Sequence, residues 1–126
     1  YITFASLGDS ADFGDLSTTR QHGIAGCGDG TKGIFMGGQV PGDQTDAIEY
    51  VNIASLGNVT DFGDLSAVRY YLTACTDTTK AVCFGGLTGA SIKNIIEYVN
   101  IASTGNATDF GDTQTSAYGL AASSGD

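Results

Sequence analysis

Short apolar runs separated by clusters of Gly, Asp, Asn and Thr fill the chain from His22 onward. "HGIAGC" (22–27) ends at the turn-rich "GDGTK", and "GIFMGG" (33–38) follows. After a polar loop comes "IEYVNIAS" (48–55), and "GNVT" then leads into a short segment around Thr60–Leu65. Runs of this length bounded by turn residues are strand-like, and no stretch carries apolar residues at i, i+3 and i+4. In "IEYVNIAS" both alternating faces are apolar: Ile48, Tyr50 and Ala54 on one, Val51 and Ile53 on the other. Such a strand is predicted to be covered on both sides.

The pattern recurs. "YITFASLGDSADFGDLS" (1–17) returns as "YVNIASLGNVTDFGDLS" (50–66) and "YVNIASTGNATDFGDTQ" (98–114), a period of 49 and then 48 residues. "RQHGIAGCGDGTKGIFMGG" (20–38) aligns with "RYYLTACTDTTKAVCFGG" (69–86) after one gap. Four strands per period of this length, with strands covered on both faces, predict an all-β fold of four-stranded antiparallel β-propeller blades. The expected units are a partial blade at 1–19, full blades at 20–66 and 69–114, and a partial blade at 115–126.

The glycine pairs Gly37–Gly38 and Gly85–Gly86 each close an apolar run, and "IEY" follows about ten residues later with Tyr50 and Tyr98. This arrangement resembles the kelch repeat, with its strand-ending double glycine and a following strand that bears an aromatic. Kelch units carry a Trp further on. Here the Phe of "DFGD" (Phe13, Phe62, Phe110) stands in roughly that place. The "IASTGNATDFGD" phrasing also resembles kelch-like tandem repeats of marine bacteriophages, cyanophages in particular. The resemblance implies a propeller that binds through its loops rather than by catalysis.

The phrase "DFGD" admits two readings. Asp61 and Asp64, with Asn58 or Thr60, could offer oxygens to calcium, but calcium loops place carboxylates at every second position around a turn glycine, and two are few for an ion taking six to eight oxygens. The structural reading is preferred: Phe62 plugs a gap between neighbouring blades, Gly63 supplies backbone freedom, and the carboxylates bond turn amides. No metal site and no cofactor site is expected. Arg20 and Arg69 precede the first strand of their units and are expected to pair with a carboxylate at the blade edge. Ala117 takes that place in the third unit.

Composition narrows the function. Five Lys and Arg against 14 Asp and Glu leave a net charge of −9, which disfavours nucleic acid and anionic membranes. No apolar run approaches the ~20 residues of a membrane-spanning helix. "GDGTKG" (28–33) lacks phosphate-loop spacing, and the single histidine, His22, has no evident triad or zinc partners. Of the three cysteines, Cys75 and Cys83 flank a predicted hairpin and could form a disulfide, although small buried hydrophobes are the preferred reading. These features point to a non-enzymatic binding or structural module that takes a protein or glycan ligand, a phage virion or tail-fibre component, with a cellular adaptor as the alternative. Two and a half units leave open sheet edges, so a homo-oligomer is expected, a dimer before a trimer.

Overall fold

A computed structural model describes residues 1–2, 5 and 7–124. The portions of the two partial blades expected at residues 3, 4, 6, 125 and 126 lie outside the described residues.

Period-two burial builds the strands. In β2 (Lys32–Met36), Ile34 and Met36 are fully buried on one face while Phe35 turns to the other. β2 pairs with β1 (Ala25–Gly28) and with β5 (Ala47–Asn52), and β5 pairs with β6 (Thr60–Asp64), so one antiparallel sheet runs in the order β1-β2-β5-β6. The second sheet repeats it with β7 (Thr73–Thr76), β8 (Lys80–Phe84), β11 (Ile95–Asn100) and β12 (Thr108–Asp112). Two small hairpins, β3 (Gln39–Val40) with β4 (Asp43–Gln44) and β9 (Leu87–Thr88) with β10 (Ser91–Ile92), project from the second-to-third strand connections. Every pairing is antiparallel, and no helix occurs among the described residues.

The two sheets share one core. Ile34, Met36, Ile48, Phe62 and Leu65 of the first unit join Leu72, Ala81, Cys83, Val99 and Ile101 of the second. Burial of this apolar surface is the main stabilising contribution, at roughly 25 cal/mol per Å². The tight turns between β1 and β2 and between β7 and β8 are closed by side chains. Asp29 Oδ1 accepts from the Thr31 and Lys32 amides and the Thr31 hydroxyl, and Asp77 does the same with Thr79 and Lys80.

The four strands predicted in each full unit form with shifted ends, whereas the described residues of the partial blades expected at 1–19 and 115–126 form no strand. His22 makes only an isolated bridge to Gln39, so the first strand begins at Ala25 rather than at 22. Gly37 and Gly38 fall beyond β2, because their φ values of 60° and 107° leave the extended region. Ile53 and Ala54 lie past the end of β5. The β3–β4 hairpin forms in the stretch predicted to be a plain polar loop.

Candidate functional site

The "DFGD" phrase is a β-bulge. Ile48 faces Gly63 and Glu49 faces Asp61, which leaves Phe62 as an extra residue without an opposite number. The bulge turns the Phe62 ring inward, edge-on to Tyr50 at 5.8 Å between ring centroids. Phe110 and Tyr98 repeat the arrangement at 5.8 Å, and Phe13 with Tyr1 at 6.0 Å. The bulge also aims the outer edge of its strand at the next unit. Phe62 O accepts from Gly105 N at 2.7 Å, Asp64 O from Ala107 N at 2.8 Å, and Asp64 N donates to Asn106 Oδ1 at 3.1 Å. An edge strand that would otherwise present bare backbone groups is covered this way.

A second junction uses the glycine pairs. Gly38 N donates to Arg69 O at 2.8 Å, and Gly86 N to Ala117 O at 2.9 Å. A Cβ at Gly37 or Gly85 would lie less than 3.0 Å from the same two carbonyl oxygens. Glycine is needed there for close approach as well as for its left-handed φ.

Arg20 and Arg69 each pair with a glutamate, but inside the fold rather than at an edge. Arg20 bonds Glu49 at 2.9 Å and also donates to the Gly37 and Thr18 carbonyls. Arg69 is wholly buried, pairs with Glu97, and donates to the carbonyls of Gly85 and Ile95. Glu49 also accepts from the Ser17 hydroxyl and Glu97 from the Ser66 amide, so each glutamate ties the end of one unit to the start of the next. Buried charges persist only when paired and hydrogen-bonded in this way. The two glutamates belong to no motif, and their signal in the sequence is a carboxylate inside the apolar strand "IEYV".

The exposed chemistry lies elsewhere, along the start of the first strands. Gly23, Tyr71 and Gly119 occupy equivalent steps, linked by Tyr71 N to Gly23 O and Gly119 N to Tyr71 O, both at 2.9 Å. Both glycines have φ 64°, and Tyr71 takes the same left-handed conformation at φ 55°. That conformation costs a non-glycine residue on the order of 1 kcal/mol. The ring it presents is 38% exposed, stacks on His22 at 6.4 Å, and meets Tyr70 at 5.0 Å and Tyr118 at 6.3 Å. Four rings therefore form a continuous, partly exposed row across both sheets and the C-terminal segment. The signal was present in the repeat alignment, where Tyr71 stands opposite Gly23.

No group of three His, Cys, Asp or Glu side chains among the described residues could hold a metal ion. The candidate calcium ligand Asn58 is engaged with the Asp15 amide at 2.9 Å. Cys75 and Cys83 are free thiols, and their register excludes a direct pairing: Cys83 faces Ala74, while Cys75 faces Val82 on the opposite side of the sheet. Burial pushes the Cys83 thiol up to about 12 and that of Cys27 up to about 11, so neither is a nucleophile near neutrality. An apolar cleft of about 290 Å³ opens beside the N-terminal unit, walled by Phe13, Leu16, Phe35, Val51 and Ile53. The equivalent faces of Val99 and Ile101 are fully packed against the first sheet. The chain matches no known protein family, and no curated protein matches it.

Proposed function

We propose that the chain is a segment of a kelch-like β-propeller that acts as a non-enzymatic binding module, a phage virion or tail-fibre-type surface component that grips a glycan on its aromatic row. The observation that carries this reading is Tyr71, a bulky residue held in a conformation its repeat partners assign to glycine. Strain of this kind persists where the surrounding structure supports it, and it clusters at ligand sites. Aromatic faces with polar tips suit sugars, since the apolar side of a pyranose stacks on the ring while hydroxyls reach phenols and carbonyls. The meander order of the sheets, the serial junctions between units and the acidic surface all fit a propeller segment with no nucleic acid or membrane partner. Further copies of the same chain are its expected structural partners.

A glycan array tests the reading. Wild-type protein should bind a restricted set of sugars, and Tyr71→Ala should abolish that signal while leaving the far-ultraviolet dichroism unchanged. Absence of any sugar preference, or retention of full binding by Tyr71→Ala, would overturn the glycan reading and favour a protein-binding adaptor.

A further inference from the structure

We infer that the edge formed by Phe110, Gly111 and Asp112 receives the Gly8–Asp9–Ser10 turn of a second copy of this chain, head to tail. The inference rests on the serial-unit reading above and adds to it a defined surface and a defined partner segment.

The same contact is made twice within the chain. Gly57 N donates to Phe13 O at 2.8 Å, Val59 N to Asp15 O at 3.0 Å, and Asp15 N to Asn58 Oδ1 at 2.9 Å. Gly105, Asn106 and Ala107 repeat all three bonds on Phe62 and Asp64. In both cases a Cβ on the central glycine, Gly14 or Gly63, would run into the carbonyl of the incoming glycine. Each junction is a glycine-bearing turn laid against a bulged edge.

Among the described residues, one further copy of each half stands bare. Gly111 faces Ile96 at the bulge as Gly63 faces Ile48, with φ 135°. Yet among the described residues nothing lies within 4 Å of a Cβ placed on it. Phe110 keeps its edge-on Tyr98 but is 61% exposed, against 2% for Phe62. At the other end, Gly8 likewise meets nothing within 4 Å. The turn that carries it is preformed: Tyr1 and Ala11 exchange backbone bonds of 2.7 and 2.8 Å, the pairing that Tyr50 and Thr60 make around Gly57. Exposed apolar side chains accompany both halves, Phe110 on the edge itself and Tyr1, Ile2 and Leu7 around the turn. A patch and its complement on opposite ends of one molecule make a heterologous contact, which joins copies in series.

One difference tunes the strength. Asp9 stands where Asn58 and Asn106 stand in the internal junctions. Its carboxylate oxygen accepts the Asp112 amide as the asparagines do, but it brings negative charge toward Asp109 and Asp112. The contact between copies is therefore weaker than the internal ones, and it strengthens as salt screens the like charges.

Light scattering over a concentration series provides the test. Wild-type mass should rise above the 12.8 kDa chain mass with concentration, and more so at higher salt. Asp9→Asn should lower the dissociation constant about two- to fivefold. Gly111→Ala blocks the edge and Ser10→Pro removes a turn donor, so each variant alone should remain at the chain mass. An equimolar mixture of the two retains one good edge and one good turn, and should form a species of twice the chain mass. Should Gly111→Ala fail to fold by dichroism, Asp112→Pro replaces it, because that amide points away from its sheet. A wild type that stays at the chain mass, variants that associate like wild type, or a mixture that does not pair would each overturn the inference. No arm involves ligand at Tyr71, so this test and the glycan test fail independently.

Discussion

Gly63 lies so close to Gly105 that a methyl group in its place would come within 3.0 Å of the Gly105 carbonyl and the Asn106 amide. The contact explains why the chain writes "DFGD" three times. At 61–64 the phrase builds a bulge whose Phe62 faces the core and whose Gly63 admits the turn of the following unit, and Gly14 makes the same close approach to Gly57. Gly63→Ala is expected to lower stability by about 2–4 kcal/mol, combining a positive φ with backbone overlap. Gly111→Ala, with the same φ region but no neighbour, should lower it by only about 1–2 kcal/mol. Chemical denaturation of the two variants checks the difference; equal costs would remove the close approach as the cause.

Arg69 and Glu97 should behave as a single buried unit. Removing either partner alone, as in Arg69→Met or Glu97→Ala, strands the other charge in the core and should cost about 3–5 kcal/mol. Arg20→Met should cost less, because Arg20 lies nearer solvent and Glu49 keeps the Ser17 hydroxyl. Urea titration gives the ranking, and a larger loss at Arg20 would contradict the assignment of Arg69 to the core.

Asp29 and Asp77 give the fold a defined acid sensitivity. Three turn donors hold each carboxyl well below the usual range, at about 2: the Lys32 amide leads for Asp29 and the Thr79 hydroxyl for Asp77. A depressed folded-state value contributes stability that is complete above the unfolded value of 3.8 and is lost as pH falls toward about 2. The double variant Asp29→Asn/Asp77→Asn keeps acceptors without the charge. Its stability relative to wild type should be constant at mild pH and shift in its favour through this acid window. A relative stability that does not change across that window would exclude the two turns as its source.

Tyr71→Gly places in the second unit the residue that its counterparts carry. Relief of the left-handed strain offsets the loss of ring contacts, so stability should stay within about 1 kcal/mol of wild type. Sugar binding should disappear. A large destabilisation together with retained binding would mean that the ring serves packing.

Much of this architecture was legible in the order of apolar and turn residues. The repeated runs ending in "IAGC" and "FMGG" and the repeated "IEYVNIAS" and "DFGD" placed the four long strands of each unit, and burial alternates along β2 and β8. The ends were less legible. His22 and Gly37 look like strand residues, but their positions are decided by contacts with Gln39 and Arg69 that are remote in sequence. The arginines could be read as paired, yet which carboxylate they reach depends on Glu49 and Glu97 facing inward from the third strands. The β3–β4 hairpin rests on two-residue strands around "PG", too short for any periodicity to reveal. Tyr71 stands opposite Gly23 in the repeat, and its φ, shared with Gly23 and Gly119, gives that mismatch its meaning.

The central claim, that these units belong to a propeller, is tested most directly by imaging. Negative-stain electron microscopy of the associated species should show closed rings around a central opening. Two chains joined head to tail should contribute six units, within the range in which propellers close. Open fibres would mean that the head-to-tail rotation does not close, and particles without a central opening would mean that the sheets do not pack around an axis. Either image would contradict the propeller.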